Sequence, residues 1–230
     1  RRSHPDLHRG LPRELGVVSE VSILVPVLGR PHRVAPFLDS ARNGTPGAEV
    51  LFIADPADYG THDALENAGA DWITVEGGYA KKINEGVKRT DSPLIFTAAD
   101  DLNFRPDWFE KAKARLGDGI EVVGVNDLCA ARVMAGEHAT HFLMTREYAE
   151  MPCLDASPGP FSESYTHWYC DDELVATARH RNAIAFATDS IVEHLHPMVG
   201  KADDDATYQL GRMNRKVDQK MFKRRSSLWA

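Results

Sequence analysis

The sequence predicts an α/β domain with a mostly parallel central sheet and helices on both faces. Three observations carry that expectation. Apolar runs without alternation recur at residues 21–27, 49–54 and 93–97, as strands covered on both faces require. Between them apolar residues fall at helical spacing, as Val34, Phe37, Leu38 and Ala41 do, and strand–helix alternation is the pattern of right-handed parallel crossovers. Third, strands end at acids: Asp55 follows the second, and the adjacent Asp100 and Asp101 follow the run at 93–97. Ligands of open α/β sheets bind at the carboxyl ends of strands, where carboxylates can hold a divalent cation against a diphosphate. The competing reading of Asp100 and Asp101 is that they cap a following helix with Pro106 and Asp107 near its first turn.

The 230 residues, 43% hydrophobic and 27% charged, can bury the core of one domain and are too apolar for disorder. No apolar run reaches the length of a membrane-spanning helix. The opening RRSHPDLHRG has charge but no apolar core, so no secretory signal is expected. Cys129, Cys153 and Cys170 match no zinc or disulfide spacing, which makes a reducing cytoplasm the expected compartment. The net charge of −7 is unevenly spread, because residues 212–225 hold seven basic side chains and one acid, Asp218. That segment reads either as a solvated helix or as a contact surface for a polyanion such as nucleic acid or a headgroup layer.

In chain order, residues 1–20 read as a leader and 21–27 as the first strand, with Gly29 and Pro31 marking a turn before the first helix. The strand at 49–54 precedes a helix over 61–68, a short strand over 71–75 and, after Gly77 and Gly78, a helix over 79–88. Beyond the strand at 93–97 a helix is expected over 106–116 and an apolar strand over 121–125. Residues 126–145 are mixed. His138 and His141 there have a metal-ligand spacing but no third ligand nearby, and ordinary packing is the stronger reading. Residues 151–161, rich in Pro and Gly, look like a mobile loop. A strand pattern across 183–197 puts His194 and His196 on one face.

This ordered set resembles the family-two glycosyltransferases of GT-A fold, the fold of nucleotide-diphospho-sugar transferases. The helix motif Asn-x-Gly matches Asn84 and Gly86, and the acidic motif Asp-x-Asp-Asp falls on Ala98-Ala99-Asp100-Asp101, with Ala98 in place of the first acid. The resemblance spans residues 21–197. It implies a catalytic domain over 21–200, with a nucleotide-binding half (21–104) and an acceptor half (105–200), followed by a basic extension over 201–230. It implies Asp100 as direct ligand of Mn²⁺ or Mg²⁺, with His194 or His196 as a further ligand. Pro26, Arg30, Asp55, Lys82, Asn84 and Asp101 would surround the donor, Asp55 accepting a ring N–H of uracil or guanine and Asp101 supplying part of what Ala98 lacks. The family's base is an Asp three residues before a Leu. Counting from Leu174 gives Asp171, with Cys170 where the family has Glu and with Asp172 as the neighbour that would serve if the register slips by one. Both acids also suit a helix N-terminus without chemistry. Trp168 and Tyr169 suit stacking on a sugar or core packing.

The implied activity is inverting, metal-dependent transfer of a sugar, of hexosyltransferase type, from a nucleotide-diphosphate donor (a UDP-sugar foremost) to an acceptor hydroxyl. Some phage-encoded enzymes of the broad family modify DNA bases or virion proteins, and the basic tail keeps such acceptors, and a host cytoplasm, in view. The rivals are a nucleotidyltransferase, which needs a richer glycine loop than PVLGRPHRV, a non-catalytic sugar-nucleotide module, and a nucleic-acid-binding protein.

Overall fold

The computed structural model describes residues 18–229, so the expected leader lies almost wholly outside the described residues. The strands join one eight-stranded sheet in the order β3-β2-β1-β4-β7-β6-β8-β5. They are β1 (Val21–Pro26), β2 (Glu49–Ala54), β3 (Asp71–Thr74), β4 (Leu94–Thr97), β5 (Leu102–Phe104), β6 (Val122–Asn126), β7 (Phe142–Thr145) and β8 (Ile184–His194). The pairs β1–β2, β2–β3, β1–β4 and β6–β8 are parallel, whereas β7 runs antiparallel to β4 and β6, and β5 to β8. The sheet is therefore mostly parallel, and β4 sits at its centre as the sequence requires. Only one of β4's two neighbours is parallel to it.

Each face of the sheet carries its own core. On one side α1 (Pro31–Gly44) buries Val34, Phe37, Leu38 and Ala41, the four positions that the spacing singles out. They pack with Phe52, Phe96, Phe104 and Trp108. Phe37 lies edge-on to both Phe52 and Phe104, so its truncation to alanine should cost about 3–5 kcal/mol. On the other side lie α3 (Tyr79–Val87), α6 (Arg146–Glu150) and α7 (Cys170–His180), with Leu24, Ile53, Ile83, Phe142 and Leu174 in the core. Gly86 explains part of the Asn-x-Gly motif. A Cβ there would stand 2.9 Å from Ile53 and 3.1 Å from Leu24, so α3 needs glycine to lie this close to the sheet.

Between Asp101 and the next helix the chain forms β5, and α4 (Trp108–Lys113) is shorter than the expected 106–116. The residue before α4 is Asp107, in the left-handed region, so Asp100 and Asp101 are not its caps. The mixed segment resolves into α5 (Ala131–Met134) and β7. α2 (Tyr59–Asn67) begins two residues earlier than the helix expected from the sequence.

The loop at 151–161 is pinned rather than free. Asn84 Nδ2 donates to the carbonyls of Phe161 (2.9 Å) and Pro158 (3.3 Å) and to Glu163 (3.1 Å). Gly159 has φ +81, and a Cβ there would strike Asn84 at 2.5 Å. The basic tail forms a 20-residue helix, α8 (Ala206–Arg225), capped by Asp205. Buried Asp218 of α8 accepts the backbone N–H groups of Thr166, His167 and Trp168 at 3.0, 2.9 and 2.9 Å. Arg225 forks onto Glu173 and also reaches Asp155. Among the described residues, no helix is long and apolar enough to cross a membrane.

Candidate active site

The carboxyl end of β4 delivers Asp100 and Asp101 into a buried cluster, 5% and 3% exposed. Arg30, at the N-terminal end of α1, reaches into it. Its Nη1 lies 2.8 Å from Asp100 Oδ1 and 3.5 Å from Asp101 Oδ2. The other edge of the guanidinium forks onto Asp205 at 2.8 and 3.0 Å, and its plane rests 3.8 Å from the Tyr208 ring centroid. Tyr208 donates its hydroxyl to Asp101 Oδ2 at 2.6 Å. α8 is thus part of the site's wall.

On the opposite side, His194 at the end of β8 points Nε2 at Asp101 Oδ1, 3.2 Å away. Burial, and then the charge of Asp101, raise the Asp100 carboxyl above its ordinary value against the pull of Arg30. Asp101 goes the other way: burial opposes its charge, but His194, Tyr208 and Arg30 hold it well below the usual range. Burial likewise opposes charge on His194, and Asp101 still raises it. Behind them His141 places Nδ1 3.1 Å from the Thr97 carbonyl, which can only accept, so Nδ1 carries the proton and Nε2 a lone pair. Burial and the charge of His194 hold this imidazole below its ordinary range. His141 Nε2 is buried without a hydrogen-bond partner, and Asp101 Oδ1 has only its 3.2 Å ion pair with His194. An imidazole lone pair and a carboxylate oxygen near His194 suit a small hard cation, which takes carboxylate and imidazole together.

The second acidic pair opens α7. Tyr169, just before it, has φ +66, an unusual geometry for a bulky residue that turns the chain into the helix. Asp171 Oδ2 meets His138 Nε2 at 3.2 Å, and Asp172 Oδ1 accepts from Arg132 at 2.7 Å. Burial works against charge on both. His138 nevertheless lowers Asp171, whereas the charge of Asp171 adds to burial and raises Asp172. The two pairs lie close enough that half-buried Tyr79, whose hydroxyl is buried, has that hydroxyl raised by burial and then by Cys170, Asp171 and Asp101.

Other candidates fall into place unevenly. Pro26 ends β1, and Lys82 is buried with Nζ 3.2 Å from the Val27 carbonyl. Burial lowers the Lys82 ammonium, against the charges of Asp55, Asp58 and Asp100. Asp55 lines an open cleft of about 350 Å³ with Pro56, Ala57, Tyr59 and Glu76. Asn84 has a different task from the expected donor contact, since its amide is engaged by the 151–161 loop. Trp168 and Tyr169 are taken up by α8 rather than offered to a sugar. Trp168 donates its indole N–H to Gly211 at 2.7 Å, and Tyr169 stacks on Phe222.

Asp100, His194 and His196 are not gathered as a ready metal trio. His196 Nδ1 accepts from the Met198 amide, and Arg30 occupies Asp100. Among the described residues, one trio brings its ligating atoms within 4.8 Å of one another: His138, Asp171 and Asp172. Its members are already matched internally and by Arg132.

With this geometry in hand, comparison with known proteins is specific. The family model for glycosyl transferase family 2 matches residues 22–153, more than half of the chain. The chain belongs to glycosyl transferase family 2. No curated protein matches it by sequence. Among solved structures, glucosyl-3-phosphoglycerate synthase from Mycobacterium tuberculosis, crystallised with Mn²⁺, UDP and glucosyl-3-phosphoglycerate, superposes with a TM-score of 0.61 at 17% identity. That match covers 90% of this chain and 80% of the synthase. A mannosyltransferase from Pyrobaculum calidifontis, in complex with GDP-Man and Mn²⁺, superposes with a TM-score of 0.61 at 16% identity, covering 86% of this chain and 61% of that one. These similarities show the GT-A fold.

In this glycosyltransferase the sequence reading missed Asp205 and Tyr208, which reach the site from α8, and Tyr59 and Glu76 of the cleft. It treated His138 and His141 as packing, although each touches a group at the centre of the site.

Proposed function

We propose that this family-two enzyme is an inverting glycosyltransferase that moves a sugar from a nucleotide-diphosphate donor to an acceptor hydroxyl with the help of Mn²⁺ or Mg²⁺. The observation that supports it most is His141 Nε2, a buried lone pair without a hydrogen-bond partner, close to the Asp101–His194 ion pair at the carboxyl end of β4. Asp100, Asp101 and His194 would hold the cation, and Arg30 would turn from Asp100 toward the donor phosphates. The solved neighbours that bind Mn²⁺ with UDP or GDP-Man add weight to a cation and a nucleotide here. When bound, the cation stabilises the charge that develops on the departing diphosphate.

Each residue then has a task. Asp55 accepts a ring N–H of the nucleobase in the 350 Å³ cleft, with Tyr59, 67% exposed, free to stack on the base. Lys82 adds positive charge beneath the phosphates. Asp171, kept unprotonated by His138, takes the acceptor proton as that oxygen attacks the anomeric carbon and the bond to the diphosphate oxygen breaks. Attack opposite the leaving group inverts the centre.

A thermal-shift panel of UDP-, GDP-, CDP- and TDP-sugars, with and without Mn²⁺, tests this reading. One class, with UDP-sugars first in line, should raise the melting temperature only when the cation is present. A ligand at 100 times its Kd stabilises by about 2.7 kcal/mol. Equal shifts without the cation would remove the metal from the mechanism, and no shift with any donor would remove the donor site.

A further inference from the structure

The proposed chemistry uses the first turn of α8 and leaves its outer face unexplained. Gly211 and Asp218, seven residues apart, mark the buried line of the helix. Away from it lie Leu210, Met213 and Val217, 49%, 76% and 62% exposed, at the i, i+3, i+7 spacing of a single stripe. Exposed Lys216, Lys220 and Arg224 interleave with that stripe, and Lys223 borders it. Of the seven basic residues in this segment, Arg212 pairs with Asp204, Arg215 lies over Trp168 and Arg225 holds Glu173. Among the described residues no carboxylate pairs with the other four, and α8 exposes no acid, its one carboxylate being the buried Asp218.

We infer that α8 docks this enzyme on an anionic lipid surface. A purely electrostatic contact with nucleic acid needs the cations but has no use for Met213 and Val217 at the centre of the exposed stripe. An interfacial helix needs both, with apolar side chains in the acyl boundary and Lys or Arg at the headgroups. Charge and apolarity on one 20-residue helix, about 30 Å long, match that surface and leave the packing of α8 on the domain intact. Because Asp205 and Tyr208 of the same helix touch Arg30 and Asp101, docking would hold the site within a helix length of the lipid. The inference stands apart from the donor chemistry and is tested without it.

Co-sedimentation with phosphatidylcholine vesicles, alone or with a third of phosphatidylglycerol, measures docking directly. The protein should bind the anionic vesicles and leave the neutral ones, and binding should weaken as salt rises. Each basic residue at such a surface multiplies affinity about fivefold, so Lys216→Gln with Lys220→Gln should lower it about 25-fold. Met213→Ser with Val217→Ser should lower it about tenfold or more, with the melting temperature unchanged, since both side chains are exposed. Three results would overturn the inference. One is equal binding to neutral vesicles. Another is tight binding to a DNA duplex that the apolar pair of substitutions leaves unaffected. The third is a concentration-dependent dimer, seen by sedimentation without vesicles and abolished by Met213→Ser.

Discussion

Asp100–Asp101 and Asp171–Asp172 are the same dipeptide in two settings, and their settings divide the acidity in opposite senses. At the end of β4 the first acid is raised and the second lowered, because His194, Tyr208 and Arg30 converge on Asp101 while Asp100 bears burial and its neighbour's charge. At the start of α7 the first acid is lowered and the second raised, because His138 faces Asp171 and the charge of Asp171 weighs on Asp172. Adjacent carboxylates cannot both be cheaply ionised in a buried place, so a partner on one of them sets the order. On the proposed mechanism, the β4 pair takes a cation and the α7 pair a proton. The β4 pair is enclosed by an arginine, a histidine and a tyrosine. The α7 pair keeps one ionised oxygen beside an imidazole, as a base requires.

The largest effect should come from the α7 pair. Asp171→Asn keeps shape and hydrogen bonding but takes no proton. Turnover should fall about 10²- to 10⁴-fold while donor affinity holds, measured as kcat against donor Kd. Asp172→Asn removes only the ion pair with Arg132, half of which is exposed, and should change kcat a few-fold at most. Equal losses in both variants would erase the distinction drawn between the two acids.

Next in size is the β4 pair. Asp100→Ala removes a proposed direct ligand, so Mn²⁺-dependent nucleotide binding by calorimetry should weaken beyond the 10- to 100-fold typical of groups that only support a ligand. Circular dichroism should be unchanged. Binding that survives would hand the cation to another set, and the gathered trio His138, Asp171 and Asp172 is the one to examine.

Much of this was legible in the chain, and the rest was hidden for physical reasons. β1, β2 and β4 announce themselves as unbroken apolar runs because both their faces are covered. β5 has three residues and β7 four, too few for any periodicity to register, so the antiparallel part of the sheet was not foreseen. Asp100 and Asp101 stand out by position at a strand end, and His194 only as one of a pair with His196 on one strand face. Their pairing does not, because it depends on Arg30, which is 70 residues from Asp100 and 175 from Asp205. The tail showed its charge but not its attachment, since buried Asp218, which accepts three backbone N–H groups, looks like any surface acid in a basic run.

A smaller effect should appear in the pH profile. Asp171 lies below its ordinary value despite burial, because His138 supplies positive charge and a hydrogen bond. A base must be deprotonated to act, so its acid limb in kcat/KM should lie below the ordinary carboxylate range, with a flat profile from this group above it. His138→Asn keeps a donor but loses the charge, leaving burial to raise Asp171 against only the Asp172 backbone N–H and the charge of Arg132. The acid limb should move up in pH, with little change on the alkaline side. The linked stability has the same sign. A depressed carboxylate contributes above its unfolded value and loses that contribution as pH falls through the folded one, so the variant should lose acid tolerance first. An unmoved limb would mean that His138 is only a packing neighbour.

The smallest effect belongs to Tyr208, and it tests whether α8 belongs to the β4 pair at all. Its hydroxyl gives Asp101 a 2.6 Å hydrogen bond, while its ring supports the Arg30 guanidinium. Tyr208→Phe keeps the ring and removes only the hydroxyl. Asp101 retains His194 and Arg30, so the loss should be that of one hydrogen bond to a charged group in a half-buried place, about 1–2 kcal/mol by urea unfolding. Tyr208→Leu removes the ring as well, and Arg30 then loses its aromatic support. If α8 is a wall of the site, the leucine variant should be the worse of the two in Mn²⁺-dependent nucleotide binding as well as in stability. A phenylalanine variant as stable as the parent, with unaltered nucleotide binding, would mean that Asp101 owes its lowered acidity to His194 and Arg30 alone. The contrast between the two aspartate pairs would then rest on His138 in one and on His194 with Arg30 in the other.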